Sequence, residues 1–217
     1  MAAIFDQSAN LAAKGAVVSA TLVLVALICG WWFWPQSDYA RHVSWIVGQP
    51  VPFSHEHHVA GLGIDCRFCH SSVEVSATAG LPPTYTCMTC HSQIWTNAAL
   101  LAPVRDSLAN GKPIVWNRIN DLPDYVYFNH SIHIAKGVGC SSCHGQVDRM
   151  ALTYKAMTLT MRFCLDCHRD PGPNLRPKDQ IYNTEWRRTK DTPSPEALLA
   201  EYHVAGRNLT DCSICHR

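Results

Sequence analysis

The sequence is short of charge. Only 16% of its 217 residues are Asp, Glu, Lys or Arg, and 18 basic residues face 17 acidic ones. A nucleic-acid surface or a polyanion partner needs a basic excess that this chain lacks. Intrinsic disorder is excluded from the other direction, because 47% of the residues are hydrophobic. Long apolar runs are absent except for one, between Lys14 and Asp38. The length is that of one domain or a small pair. What the chain has in excess is 11 Cys and 12 His. Thiols at that density are disulfides, metal ligands or covalent cofactor anchors, and their spacing decides which.

Ten of the cysteines fall in five copies of one pattern: Cys66-Arg-Phe-Cys69-His70, Cys87-Met-Thr-Cys90-His91, Cys140-Ser-Ser-Cys143-His144, Cys164-Leu-Asp-Cys167-His168 and Cys212-Ser-Ile-Cys215-His216. C-x-x-C-H is the attachment signature of c-type haem. The two thiols form thioethers to the two vinyl groups of one haem. The histidine that follows is carried beneath the macrocycle as the proximal iron ligand. A zinc knuckle or a redox dithiol uses C-x-x-C without needing His after every second Cys, and a disulfide framework does not repeat one spacing five times. The expected cofactors are therefore five haem c, with His70, His91, His144, His168 and His216 as proximal ligands. Roughly 36 extramembrane residues per haem are too few for a side-chain core of ordinary size. The expected fold is mainly α with extensive irregular loops, folded around the macrocycles. Haem of this type is attached after export, so the domain is expected outside the cytoplasm.

The apolar run carries the membrane expectation. Ala16 to Trp34 extends about 28 Å as a helix, close to the ~30 Å of a bilayer core. Trp31, Trp32, Phe33 and Trp34 stand where an interfacial aromatic belt belongs, and Pro35 stops the helix. A cleaved signal peptide needs a small-x-small site, which the bulky residues after the run do not supply. A lipoprotein anchor on Cys29 fails because Ile28 precedes it. Cys29 is then a small apolar side chain in lipid. The layout reads as a short cytoplasmic segment 1–14, a transmembrane anchor helix 15–37 and an extracytoplasmic haem domain 38–217.

An internal repeat organises that domain. Phe53-Ser-His55-Glu-His57-His58 leads to Cys66, and Phe128-Asn-His130-Ser-Ile-His133 leads to Cys140. Each Phe-x-His-x-x-His is followed by a Gly-containing turn and two C-x-x-C-H motifs. The reading is a two-haem module at 50–91, a second at 125–168 and a fifth haem at 200–217. His55, His58, His130, His133 and His203 are the distal-ligand candidates. His42 and His57 are left over. Met157 and Met161 are weaker distal candidates, and either would raise the potential of its haem. Between the modules, Ile94 to Leu108 reads as an amphipathic helix broken by Pro103. The proline-rich segment 169–195, with Arg187, Arg188 and Lys190, reads as an extended arm or docking surface. No motif is altered to C-x-x-C-K. Irons with two protein ligands have no open position, which favours a wire over a catalyst.

The Phe-x-His-x-x-His…C-x-x-C-H pattern resembles the class III multihaem cytochromes c. The whole layout, from the anchor and Pro50-Val-Pro-Phe-Ser-His-Glu-His-His-Val59 through Arg162-Phe-Cys-Leu-Asp-Cys-His-Arg169 to the terminal Cys-Ser-Ile-Cys-His-Arg217, resembles the pentahaem cytochrome c subunit of alternative complex III. That resemblance implies an electron-transfer subunit with no catalysis of its own, in a quinol-oxidising complex of the bacterial cytoplasmic membrane. It implies an iron–sulfur, molybdopterin-type subunit as donor and polytopic quinol-binding subunits. It also implies a monohaem cytochrome c subunit and a periplasmic acceptor. The alternative is a stand-alone membrane multihaem quinol dehydrogenase. A direct check is thiol titration of the denatured mature chain. One thiol, Cys29, should take up an alkylating reagent, and uptake at eleven would contradict the haem reading.

Overall fold

The computed structural model describes residues 6–216, with the backbone only at Gln7. Residues 1–5 of the short N-terminal segment, and Arg217, lie outside the described residues. The chain divides into two compact units at Val43 and Ser44.

The first unit is dominated by α1, Gln7–Phe33. Its 27 residues extend about 40 Å. Within Ser8–Gln36 an 18-residue window reaches a mean hydropathy of 2.2, and none of that window is buried. A helix apolar on every side has no polar face to show water, and this one is long and apolar enough to cross a membrane. It begins at Gln7, ahead of the apolar run, because Ala, Leu and Lys before Gly15 are strong helix formers. It ends at Phe33, and Pro35 sits in the first turn of a short 3₁₀ segment, Trp34–Gln36.

The second unit is built from short helices and long loops. After a π-helical turn at Glu56–Gly61 come α2 (Cys66–Cys69), α3 (Thr84–His91), α4 (Ala102–Asn110), α5 (His130–Ala135), α6 (Ser141–His144), α7 (Met161–Arg169), α8 (Pro195–Glu201) and α9 (Cys212–Cys215). Three isolated antiparallel bridges, Ile46 to Tyr154, Val126 to His216 and Val138 to Leu175, take the place of a sheet among the described residues. This is the mainly helical, loop-rich fold that the motif density predicts.

Helices α2, α6 and α9 have four residues each, far below the length at which a helix persists in water. Side-chain caps supply part of what length does not. Asp65 accepts from the Arg67 amide at 2.8 Å, and Asp211 accepts from that of Ser213 at 2.9 Å. Asn129 opens α5 in the same way, accepting from the Ser131 amide at 2.9 Å. The amphipathic stretch behaves differently from its reading as one helix broken by Pro103. Residues before Ala99 are not helical, and Trp95 has a left-handed φ of 55°. Pro103 stands in the first turn of α4, where its missing N–H has no intrahelical partner to lose.

The side-chain core is small. Leu175, Leu198, Tyr202 and Val204 form one buried cluster, flanked by Val138, Leu199 and Leu209. Gly137, at φ +79°, lets the backbone pass against Tyr202, and a Cβ there would overlap the ring and the Arg176 carbonyl. Arg176 is itself buried. It donates to the Asn183 carbonyl at 2.8 Å and to Ser141 Oγ at 2.7 Å, and its carbonyl accepts from Tyr202 Oη at 2.8 Å. Arg188 turns inward within the basic segment, donating to the Leu175 carbonyl at 2.9 Å. Arg176 and Arg188 both lie over Trp186, at 5.1 and 5.6 Å from the ring centre. Much of the supposed arm is thus tied to the core cluster.

Nine buried apolar side chains among the described residues are too few to offset the ordering entropy of a unit this size. Made in cells that cannot attach haem, the chain should show no cooperative unfolding transition by circular dichroism. A sharp transition there would contradict the view that the macrocycles complete the core.

Candidate metal centres

The two repeats deliver their histidines by the same local geometry. In the first, the Phe53 ring stands edge-on to His55 at 5.0 Å and stacks on His58 at 4.4 Å. In the second, Phe128 stands edge-on to His130 at 4.8 Å and stacks on His133 at 4.4 Å. His58 Nδ1 lies 2.8 Å from the Ser54 carbonyl, and His133 Nδ1 lies 2.7 Å from that of Asn129. The first repeat has one residue more between Phe53 and Cys66 than the second has between Phe128 and Cys140. The fold absorbs it as the π-helical turn Glu56–Gly61, where the second repeat has the ordinary helix α5. A one-residue insertion produces this kind of bulge, and it keeps the histidines of both repeats in equivalent places.

Each of these four histidines then faces a motif histidine. Ring centres are 6.5 Å apart for His55 and His70, 6.2 Å for His58 and His91, 6.4 Å for His130 and His144, and 6.1 Å for His133 and His168. The first and third of these pairs are nearly parallel, at 9° and 5°. Parallel rings in direct contact stand about 3.5–4 Å apart. Two imidazoles that share one metal ion, each bonded through Nε2 at about 2.0 Å, have ring centres about 6.3 Å apart. The first histidine of each repeat meets the first motif of its module, and the second meets the second.

The other ring nitrogen is held throughout. Nδ1 lies within hydrogen-bonding distance of a backbone carbonyl in His70 (Gly80, 2.7 Å), His91 (Ile94, 3.3 Å), His130 (Ala77, 2.9 Å), His168 (Leu209, 2.8 Å) and His216 (Tyr125, 3.1 Å), as in His58 and His133. A carbonyl only accepts, so these rings carry their proton on Nδ1 and present the Nε2 lone pair. His55 Nδ1 meets Thr153 Oγ1 at 3.0 Å, and His144 Nδ1 meets the Asn120 side-chain amide at 3.1 Å. Burial, with a smaller push from nearby imidazoles, lowers the pKa of both His55 and His144 to about 4. Both are neutral at pH 7, the form that binds a metal. The geometry therefore fits an iron between each pair.

None of the eleven cysteines is paired in a disulfide, and no three His, Cys, Asp or Glu side chains converge as a zinc site among the described residues. Burial pushes the thiols of Cys140 and Cys143 up to about 11, while Cys90 and Cys212 are exposed. After burial, the next influence on four of the thiols is a cysteine of another motif, which shows which motifs are neighbours. Cys69 senses Cys87, Cys140 senses Cys66, Cys143 senses Cys167, and Cys164 senses Cys215. The motifs are thus neighbours in the order second, first, third, fourth, fifth, with the third the most enclosed.

Other expected residues are placed differently. His203 is exposed, with a left-handed φ of 54°, and no ring pair joins it to His216 among those described. Met161 is 61% exposed at the start of α7, and Met157 is half-buried in the loop before it. His57 stacks on Trp95 at 5.7 Å. The sequence reading missed Thr153, Asn120 and the carbonyls of Gly80, Ala77 and Leu209. Backbone acceptors leave no sequence signal, and a polar residue remote in the chain leaves little.

Residues 126–217, which hold the third, fourth and fifth motifs, match the family of cytochrome c7 and related cytochromes c. That stretch is similar to the multihaem cytochromes c of the c7-like class. Over 201 residues it is 29% identical to the menaquinone reductase multiheme cytochrome c subunit of Nitratidesulfovibrio vulgaris (strain Hildenborough), a likeness covering 90% of this chain and 87% of the relative.

Proposed function

We propose that this chain is the membrane-anchored, pentahaem electron-relay subunit of a quinone-linked respiratory or photosynthetic complex, related to the pentahaem subunit of alternative complex III. The observation that carries the reading is the set of four imidazole pairs at 6.1–6.5 Å. The ten motif cysteines would anchor five haem c. His70, His91, His144 and His168 would hold four irons from one side, and His55, His58, His130 and His133 from the other. His216 would be the proximal ligand of the fifth. Bound haem supplies a one-electron iron couple of tunable potential. Two imidazoles on one iron leave no coordination position for a substrate, so these residues build a conductor. Phe53 and Phe128 each hold together two imidazoles that serve successive sites.

The neighbour order of the motifs supports a single line with the second and fifth at its ends, the places for partners to dock. Helix α1 would anchor the chain once in the cytoplasmic membrane, with the haem domain on the periplasmic side, where c-type haem is attached. The donor would be an iron–sulfur subunit beside polytopic quinone-binding subunits. The outlet would be a monohaem cytochrome c subunit or another periplasmic acceptor. The relative named above is a menaquinone reductase subunit, and a line of saturated irons conducts in either direction, set by the potentials of its partners.

Substitution separates ligands from bystanders. In the purified holoprotein, His130→Ala and His58→Ala should each convert one haem from low spin to high spin in the optical and resonance Raman spectra. His57→Ala should convert none. An unchanged spin state in both of the first two variants would contradict the reading.

A further inference from the structure

Of the motif histidines, His144 alone has its Nδ1 on a side chain, that of Asn120, rather than on a backbone carbonyl. Asn120 stands 24 residues earlier in the chain, with its Nδ2 facing His144 Nδ1 at 3.1 Å. Its Oδ1 is buried and has no hydrogen-bond partner. The oxygen and nitrogen of an amide have nearly the same shape, so the hydrogen-bond network decides which is which. With the NH₂ group toward the ring, Nδ1 must accept, and the imidazole proton is forced onto Nε2, the atom an iron needs. With the two ends exchanged, Oδ1 accepts from Nδ1–H and the Nε2 lone pair is released.

We infer that Asn120 is the positioning residue of His144: its side-chain oxygen accepts the Nδ1 proton, fixes the ring tautomer and sets how strongly His144 donates to iron. The inference rests on the reading of His144 as a haem ligand. The acceptor on a ligating imidazole controls ligand basicity, and ligand basicity is one of the protein's levers on haem potential. At the other four motifs that acceptor is main chain, which substitution cannot remove. At the third motif, the most enclosed and the middle of the neighbour order, it is a side chain open to change.

The test is a spectroelectrochemical titration of the holoprotein carrying Asn120→Asp or Asn120→Leu, at mildly alkaline pH. An anionic acceptor strengthens donation from His144, so Asn120→Asp should move the midpoint of one haem downward. Leu supplies no acceptor, so Asn120→Leu should move the same haem upward. Shifts of opposite sign on one haem support the inference, because a purely structural perturbation has no reason to change sign between two near-isosteric residues. If Asn120→Leu does not accumulate, the downward shift in Asn120→Asp decides alone. Unchanged potentials, or equal shifts in both variants, would overturn it. The mass of each variant separates the two readings: a wild-type chain without a haem on Cys140 and Cys143 counts against the relay itself, whereas full loading with unmoved potentials counts only against Asn120.

Discussion

A metal ion held between two imidazoles requires ring centres about 6.3 Å apart and Nε2 lone pairs aimed at each other. The second unit meets that spacing four times, between residues 14 to 35 apart in the chain. Its side-chain core is one small cluster around Leu175, Leu198 and Tyr202, and three of its helices are single turns. In the proposed reading, the bond to iron and the thioethers hold those turns in place, and the porphyrin faces provide the apolar surface that side chains do not.

The construction is modular. One Phe-x-His-x-x-His segment presents two imidazoles in different directions around a single aromatic ring, and each meets a different motif downstream. Repeating the segment doubles the arrangement, and the one-residue difference between copies is taken up by a π-helical turn without disturbing the imidazole pairs. The modules are joined by main-chain hydrogen bonds, as where the His130 and Ser131 amides reach the Ala77 and Ser76 carbonyls at 3.1 Å. The acceptor for His130 Nδ1 is also Ala77 O, at 2.9 Å, so the joint between the two repeats also holds the His130 ring.

Much of this was legible in the sequence, for identifiable reasons. Covalent attachment demands a fixed local spacing, so the five motifs and their histidines could be read directly. The histidines of the two repeats stood out as distal-ligand candidates because the repeat displays them twice. His203 had no second copy, and the structure does not set it opposite His216. Pro103 was misread as a breaker because its effect depends on position within the helix, and in the first turn it is compatible. The pairing of His55 with His70 and of His58 with His91 could not be read, since it depends on how loops return. Arg188 read as part of an extended arm or docking surface. The carbonyls it serves belong to a fold that composition does not describe.

The central claim is that the paired imidazoles saturate their irons. Electron paramagnetic resonance of the fully oxidised holoprotein tests it most directly, because low-spin signals respond to the angle between the two axial rings. The near-parallel pairs His55–His70 and His130–His144, at 9° and 5°, should give rhombic low-spin signals. The pair His58–His91, at 66°, should give a strongly anisotropic low-spin signal. A spectrum dominated by axial high-spin iron would contradict the account.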